Sequence, residues 1–283
     1  MNRINLSARM GLAAVTLAVC ASVQAAAITE WNFGTLAVTA PDNTPAPTTG
    51  LGSATSLGMT NTYIETGGGG NVSTTYDDIT KDTDSTIGNQ DVWRIRGAGS
   101  TPGNGWSINA PEYTQGAQFS NSTAGYSNVL LSFNWASTAQ GIMNMQVQYN
   151  TNVNNANGWT NVGSLLTATV ANSSAGGTFQ TDTINFGALG ITSVNNDANF
   201  GVRLVSAYNP NLAGGTEYAA ATLVGGQPVQ YNNNSGNWRF ADVQIDGTPV
   251  PLPSAAWLLV SGLGGVGLMT RRRRAGSVAL ANG

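Results

Sequence analysis

The run Val129-Leu130-Leu131-Ser132-Phe133-Asn134-Trp135 sets bulky apolar side chains at every second position. One face of such a segment is buried and the other tolerates water, which fits a strand and not a helix, whose apolar positions recur at three and four. Met143, Met145, Val147 and Tyr149 repeat the pattern against Asn144, Gln146 and Gln148. With the short link Ser137 to Gly141 between them, the two runs read as an antiparallel hairpin. Asn157-Gly158 closes an Asn-rich loop, and Trp159 to Val170 returns as another strand. Phe200, Val202 and Leu204 alternate with Gly201 and Arg203, and Trp93 and Ile95 oppose Arg94 and Arg96. Trp238 to Asp246 reads as a closing strand. Its apolar phase moves from even (Trp238, Phe240) to odd (Val243, Ile245), which predicts a bulge near Ala241-Asp242.

Helix-favouring blocks are missing, and Asn, Thr, Ser and Gly are abundant. Disorder is not expected, because bulky residues are plentiful: Trp31, Trp93, Trp106, Trp135, Trp159 and Trp238 all fall between the two ends of the chain. The expectation is an all-β domain over 26–248, an antiparallel jelly-roll-like β-sandwich, flanked by an N-terminal signal helix and a C-terminal single transmembrane helix. Stretches such as Gly125-Tyr126-Ser127-Asn128-Val129 and Gly158-Trp159-Thr160 resemble those of sandwich domains on other exported bacterial surface proteins. Thr39 to Gly58 and the tetraglycine Gly67 to Gly70 read as long surface loops or an irregular meander.

The two ends carry an address. Arg3 and Arg9 precede an apolar stretch from Met10 to Val19, and Val23-Gln24-Ala25 offers a small-residue exit. This order is that of a signal peptide over 1–25, cut by signal peptidase after Ala25, with Ala27 the alternative. The one cysteine, Cys20, lies inside that segment, so the exported part has no thiol chemistry. At the other end, Val250, Pro251, Leu252 and Pro253 form a non-helical stretch. Ser254 to Thr270 is free of charge, and Arg271, Arg272, Arg273 and Arg274 stop it. As a helix, that segment reaches roughly 25 Å, just short of a typical hydrocarbon core. Trp257 suits one interface, and the arginines place the tail 275–283 in the cytoplasm.

Val250-Pro251-Leu252-Pro253-Ser254, then Trp257-Leu258-Leu259, a Gly-rich helix and four arginines resemble the PEP-CTERM sorting domain. That resemblance covers about the last thirty-five residues, over which the signal itself spans 249–274. It implies an exported bacterial protein handled by an exosortase-type transpeptidase, held in the inner membrane before processing and then at the cell surface or in a biofilm matrix. Leu252 stands where the family carries an acidic residue.

Setting both ends aside changes the charge. Five basic residues (Lys81, Arg94, Arg96, Arg203 and Arg239) remain against all fourteen acidic ones, so a chain of formal charge −3 contains a strongly acidic exported part. Phosphate binding needs a basic stripe, and there is none, so no nucleic-acid partner is expected. With no histidine and no mature cysteine, Ser-His-Asp triads, Cys-His dyads and His-ligated zinc sites are excluded together.

Carboxylate pairs need neither residue type; Asp77, Asp78, Asp91, Glu112, Glu217 and Asp242 are the candidates for glycan hydrolysis. Solvated surface carboxylates are the commoner reading. Asp77, Asp78, Asp82 and Asp84 crowd one segment and could offer oxygens to calcium, although Gly88 falls one position late for an EF-hand loop and no terminal Glu follows. A solvated acidic loop is preferred, with calcium the one cofactor left open. Trp106 and Trp159 sit beside turns and are the glycan-stacking candidates, whereas Trp93, Trp135 and Trp238 read as core. The expected function is that of a non-enzymatic surface or matrix protein, with extracellular polysaccharide as a partner. A carbohydrate-binding module and a carboxylate-dependent glycan hydrolase are the alternatives.

Overall fold

Residues 24–33, 44–58, 61–65, 92–96, 106, 108–169, 178–212, 214–231 and 236–251 are described in a computed structural model. Every regular element among them is a strand. The first seven are β1 (Ala26–Trp31), β2 (Thr49–Gly50), β3 (Gly52–Leu57), β4 (Asn61–Glu65), β5 (Val92–Arg96), β6 (Gly116–Asn121) and β7 (Tyr126–Ser137). The rest are β8 (Asn144–Asn150), β9 (Thr160–Thr167), β10 (Gln180–Asn185), β11 (Phe200–Ser206), β12 (Ala219–Val224), β13 (Gln227–Gln230) and β14 (Trp238–Pro249).

The alternating runs bury their apolar face between two antiparallel sheets, making a β-sandwich. The seven-stranded sheet runs β10–β7–β14–β1–β2, with β5 also paired to β14 and β4 to β5. The five-stranded sheet runs β3–β6–β11–β8–β9, and β12 and β13 form a separate hairpin. From the first sheet Val129, Leu131, Phe133, Trp135, Trp238, Phe240, Val243 and Ile245 point inward; from the second Ala117, Phe119, Met145, Val147, Phe200, Val202 and Leu204 meet them. Period two in the sequence thus becomes one shared core.

β14 organises the seven-stranded sheet. It pairs with β7 from Trp238 opposite Ser137 to Pro249 opposite Tyr126. Its other edge takes β5 at Trp238 to Phe240 and β1 at Val243 to Gly247. Between Phe240 opposite Trp135 and Asp242 opposite Asn134, Ala241 is an extra residue. This is the bulge that the phase change predicts. One inserted residue lets both Phe240 and Val243 face the core, while Ala241 packs with Val92, Ala136 and Phe179 in a small separate cluster.

Aromatic rings join the sheets. Trp93 lies 5.8 Å from Phe119 and 6.5 Å from Phe240, and Phe119 meets Phe240 at 6.3 Å and 78°. Trp31 extends the chain to Phe119 at 5.1 Å, and Trp238 extends it through Phe240 to Trp135. Two of the indoles find acceptors: Trp135 Nε1 donates to half-buried Asp182 Oδ2 at 2.6 Å, and Trp238 Nε1 donates to the buried Ile142 carbonyl at 2.7 Å.

Two expectations are corrected. β7 and β8 are not a hairpin: β7 pairs with β10 and β14, whereas β8 pairs with β11 and β9 in the other sheet. The link between them crosses the sandwich and is tied to other segments. Thr138 N donates to the Asn237 carbonyl at 3.1 Å and Met143 N to the Ala219 carbonyl at 2.8 Å. The stretch Thr39 to Gly58 is also more regular than expected where it is described, because β3 pairs along its whole length with β6.

Phe240→Ala removes a ring shared by Trp93, Phe119 and Trp238. The expected loss is about 3–5 kcal/mol, read as a lower urea midpoint. Ser53→Ala, at an exposed edge strand, should leave the midpoint within about 0.5 kcal/mol of wild type.

Candidate functional site

The outward face of the five-stranded sheet is polar and ordered. A single cross-strand row runs over all five strands: Thr55 opposite Gln118, Gln118 opposite Arg203, Arg203 opposite Gln148 and Gln148 opposite Asn161. At the usual strand spacing it spans about 19 Å. The row is hydrogen-bonded within itself. Arg203 Nε donates to Gln118 Oε1 at 2.9 Å, and Gln148 Nε2 donates to Asn161 Oδ1 at 2.8 Å.

β8 supplies more of this face than its alternation alone implies. Its outward residues Asn144, Gln146, Gln148 and Asn150 are all amides and all buried. Asn144 and Gln148 bond to neighbouring side chains, and Gln146 and Asn150 to the backbone around them. Gln146 Nε2 donates to the Val162 carbonyl at 3.0 Å, where the register between β8 and β9 slips. Asn150 Nδ2 donates to the Asn155 carbonyl at 2.9 Å, and Asn150 Oδ1 accepts from Asn152 N at 2.8 Å. These bonds fold the loop after β8 back over the sheet.

That loop delivers Trp159. Gly158 lies so close to Asn150 that a Cβ would stand 2.8 Å from its Oδ1, so a larger residue would push the Asn150 amide out of its bonds to the loop. Gly201 on β11 leaves room for the other side of the contact. A Cβ there would collide with Val153 Cγ1 and stand 3.4 Å from Trp159 Cη2. Trp159 is half-buried, and the Arg203 guanidinium lies 3.9 Å from its ring centroid. A stacked cation of this kind is worth about 0.5–2 kcal/mol and fixes both side chains.

Tyr113 borders the same face from the segment before β6. Its φ is +66°, a left-handed backbone that costs a non-glycine residue roughly 1–2 kcal/mol. Tertiary bonds hold it there: Tyr113 N donates to the Ser206 carbonyl at 2.9 Å, and the buried Tyr218 hydroxyl donates to the Pro111 carbonyl at 3.0 Å. Burial pushes the Tyr218 hydroxyl up to about 12, so it remains a donor at any physiological pH. Burial raises the pKa of the Tyr113 phenol above the ordinary tyrosine value.

The structure separates the two glycan-stacking candidates. Trp159 lies on the polar face. Trp106 is 1% exposed and packs against Trp238 at 4.6 Å between ring centroids, so it is core and offers no stacking surface. Turn residues beside Trp106 suggested exposure, but a long-range aromatic contact overrides them. Arg203, Gln118 and Tyr113 were not singled out from the sequence as site residues. Arg203 was visible only as an outward residue of its strand, and Gln118 lies on a strand whose short polar sequence gives little signal.

Asp77, Asp78, Asp82, Asp84 and Asp91 lie outside the described residues, as do Leu252, Pro253 and Arg271, Arg272, Arg273 and Arg274. Val250 and Pro251 are exposed, and Val250 N donates to the Gly125 carbonyl at 2.8 Å. Among the described residues, no group of three or more Asp, Glu, His or Cys side chains is arranged to hold a metal ion. Glu112 and Asp242 are not brought together. Glu112 Oε1 accepts from Tyr208 N at 2.9 Å, beside the end of β11, whereas Asp242 sits opposite Asn134 on the outward face of the other sheet.

No protein-family model matches the chain, and no curated protein matches it in sequence. Among solved structures it is similar to the K1 cleaved adhesin domain of Lys-gingipain (Kgp) from Porphyromonas gingivalis W83. Identity is 10%, over 80% of this chain and 99% of that one, with a TM-score of 0.40. At that level of superposition nothing is transferred from one protein to the other.

The Asp242 carboxyl is held above the ordinary aspartate range, first by burial and then by the charges of Glu30 and Asp246. The folded chain therefore binds this proton more tightly than the unfolded chain. The resulting stabilisation is full below the unfolded value of about 3.9 and is lost as pH rises through the raised folded value. Asp242→Asn should melt higher than wild type at pH 7, with the difference shrinking as pH falls toward 4. Thermal melts at the two pH values check the sign.

Proposed function

We propose that the chain is an exported, non-enzymatic surface or extracellular-matrix protein that contacts polysaccharide through the outward face of its five-stranded sheet. The observation that carries the reading is the accessible part of the row, Gln118, Arg203 and Asn161, held over buried Gln148, with Trp159 beside it: planar amides on a rigid sheet and a half-buried indole on the loop that leads into β9. Sugars present hydroxyls at their edges and C–H groups on their ring faces, and this surface offers a counterpart to each. Strands hold such groups more rigidly than loops do, which lowers the entropy lost on binding.

The fold reading goes one step further in the same direction. β10–β7–β14–β1 face β6–β11–β8–β9, and from β6 onward the chain passes repeatedly from one sheet to the other. This order supports a jelly roll. The address rests on the sequence. The PEP-CTERM-like tail and the signal segment imply passage through signal peptidase and an exosortase-type transpeptidase, and cleavage after Ala25 would leave β1 whole from Ala26. The acidic exported part suits a soluble life outside the cell. Calcium binding by Asp77, Asp78, Asp82 and Asp84 is not part of this proposal.

Cell fractionation tests the address. The full chain should be found in the membrane or at the cell surface, and a chain ending at Thr248 in the medium; intact full-length chain in the cytosol contradicts the proposal. A glycan array tests the contact. The full chain should bind polysaccharide probes and Trp159→Ala should lose most of the signal, while an array at background for the wild-type chain counts against the reading.

A further inference from the structure

We infer that Arg203 makes this surface selective for polysaccharides that carry carboxylates, that is, for chains containing uronic acids. The inference rests on the polysaccharide-contact reading above and specifies its ligand class.

Arg203 is held in place from two sides. Its Nε is bonded to Gln118 Oε1, and its guanidinium lies against the Trp159 ring. Among the described residues it makes no other hydrogen bond and no ion pair, so both terminal nitrogens keep their donors. Burial lowers its pKa and no neighbouring carboxylate offsets the effect, yet an arginine remains charged throughout the physiological range. The side chain is therefore a fixed, partly desolvated cation with no counter-charge among the described residues.

The form of the site selects the anion. Two terminal nitrogens in one plane match the two oxygens of a carboxylate, and a bidentate pair of this kind is stronger and more directional than a single charged bond. Gln148 and Asn161 continue the row on one side of Arg203, and Gln118 and Thr55 on the other. A polymer lying across the strands would meet the cation in the middle, exposed Asn161 on one side and half-buried Gln118 and Thr55 on the other, with Gln148 buried beneath. The exported part as a whole is acidic, so long-range attraction does not draw an anionic chain to it. Recognition has to be local, and at physiological ionic strength, where the screening length is about 8 Å, a local pair survives while the general repulsion is damped.

The test compares polygalacturonate with the same polymer after its carboxyl groups are reduced to alcohols, using the full chain in detergent at about 0.15 M salt. Wild type should bind polygalacturonate at least about tenfold more tightly than the reduced polymer. Arg203→Gln should abolish the preference, binding the two polymers equally, and a circular dichroism spectrum matching that of wild type shows that the variant is folded. Arg203→Lys should restore only part of the preference. Equal affinity of wild type for the two polymers overturns the inference alone, as does a preference that survives in Arg203→Gln. A sulfated galactan bound as tightly as polygalacturonate overturns the assignment to carboxylate. Absence of binding to either polymer overturns both this inference and the polysaccharide-contact reading beneath it.

Discussion

Phe240 from one sheet and Phe119 from the other meet edge to face in the middle of the sandwich, with Trp93 against both. The geometry suits the ring quadrupoles, and such pairs add about 0.5–1.5 kcal/mol each beyond the area they bury. The larger effect is steric. Rings of this size set the distance between the sheets and allow few relative positions, so the bulge at Ala241 is a requirement of the core. If Ala241 were kept in regular alternation instead of bulged, Val243 and Ile245 would turn outward once Phe240 was docked.

A core this dominated by apolar side chains leaves the polar residues to the outer faces, and the two faces differ. On the seven-stranded sheet, Glu30, Asp242 and Asp246 lie close enough to raise the Asp242 pKa, and Gln244 Nε2 donates to Asp246 Oδ1 at 2.6 Å. Arg94 and Arg239, paired across β5 and β14, share that side of the sheet but are buried. On the five-stranded sheet the row is neutral apart from Arg203, and the loop after β8 brings Trp159 down beside it. The buried amide of Asn150, which satisfies the loop backbone, is what holds that loop in place beside the surface proposed to meet a ligand.

Much of the fold could be read from the sequence, and the failures have a common cause. The strands around Leu131, Val147, Val202 and Phe240 were legible because bulky residues alternate over five or more positions. The position of the bulge followed from parity alone. Pairing was not legible. β7 and β8 each bury one face in the same core from opposite sides, and a period of two reports a buried face without saying in which sheet the strand lies. Trp106 failed for a similar reason: its neighbours Gly103 and Gly105 describe local chain direction, whereas burial is decided by Trp238, which is distant in sequence. Trp159 was recognised from its Asn-Gly turn, but Arg203, Gln118 and Tyr113 join it only through the register of β6, β11 and the segment at Pro111. The strand β6, Gly-Ala-Gln-Phe-Ser-Asn, carries too few bulky residues to announce itself.

The account therefore places recognition on one sheet face, organised by a single cation and a single half-buried indole. Titration of the isotope-labelled full chain with polygalacturonate, followed through the backbone amide, indole and arginine Nε resonances, tests this most directly. The account predicts shifts at Trp159, Arg203, Gln148 and Asn161, with the indoles of Trp135 and Trp238 unmoved in the core. Shifts gathered instead around Glu30, Gln244 and Asp246 on the opposite sheet, or none at saturating polymer, would contradict it.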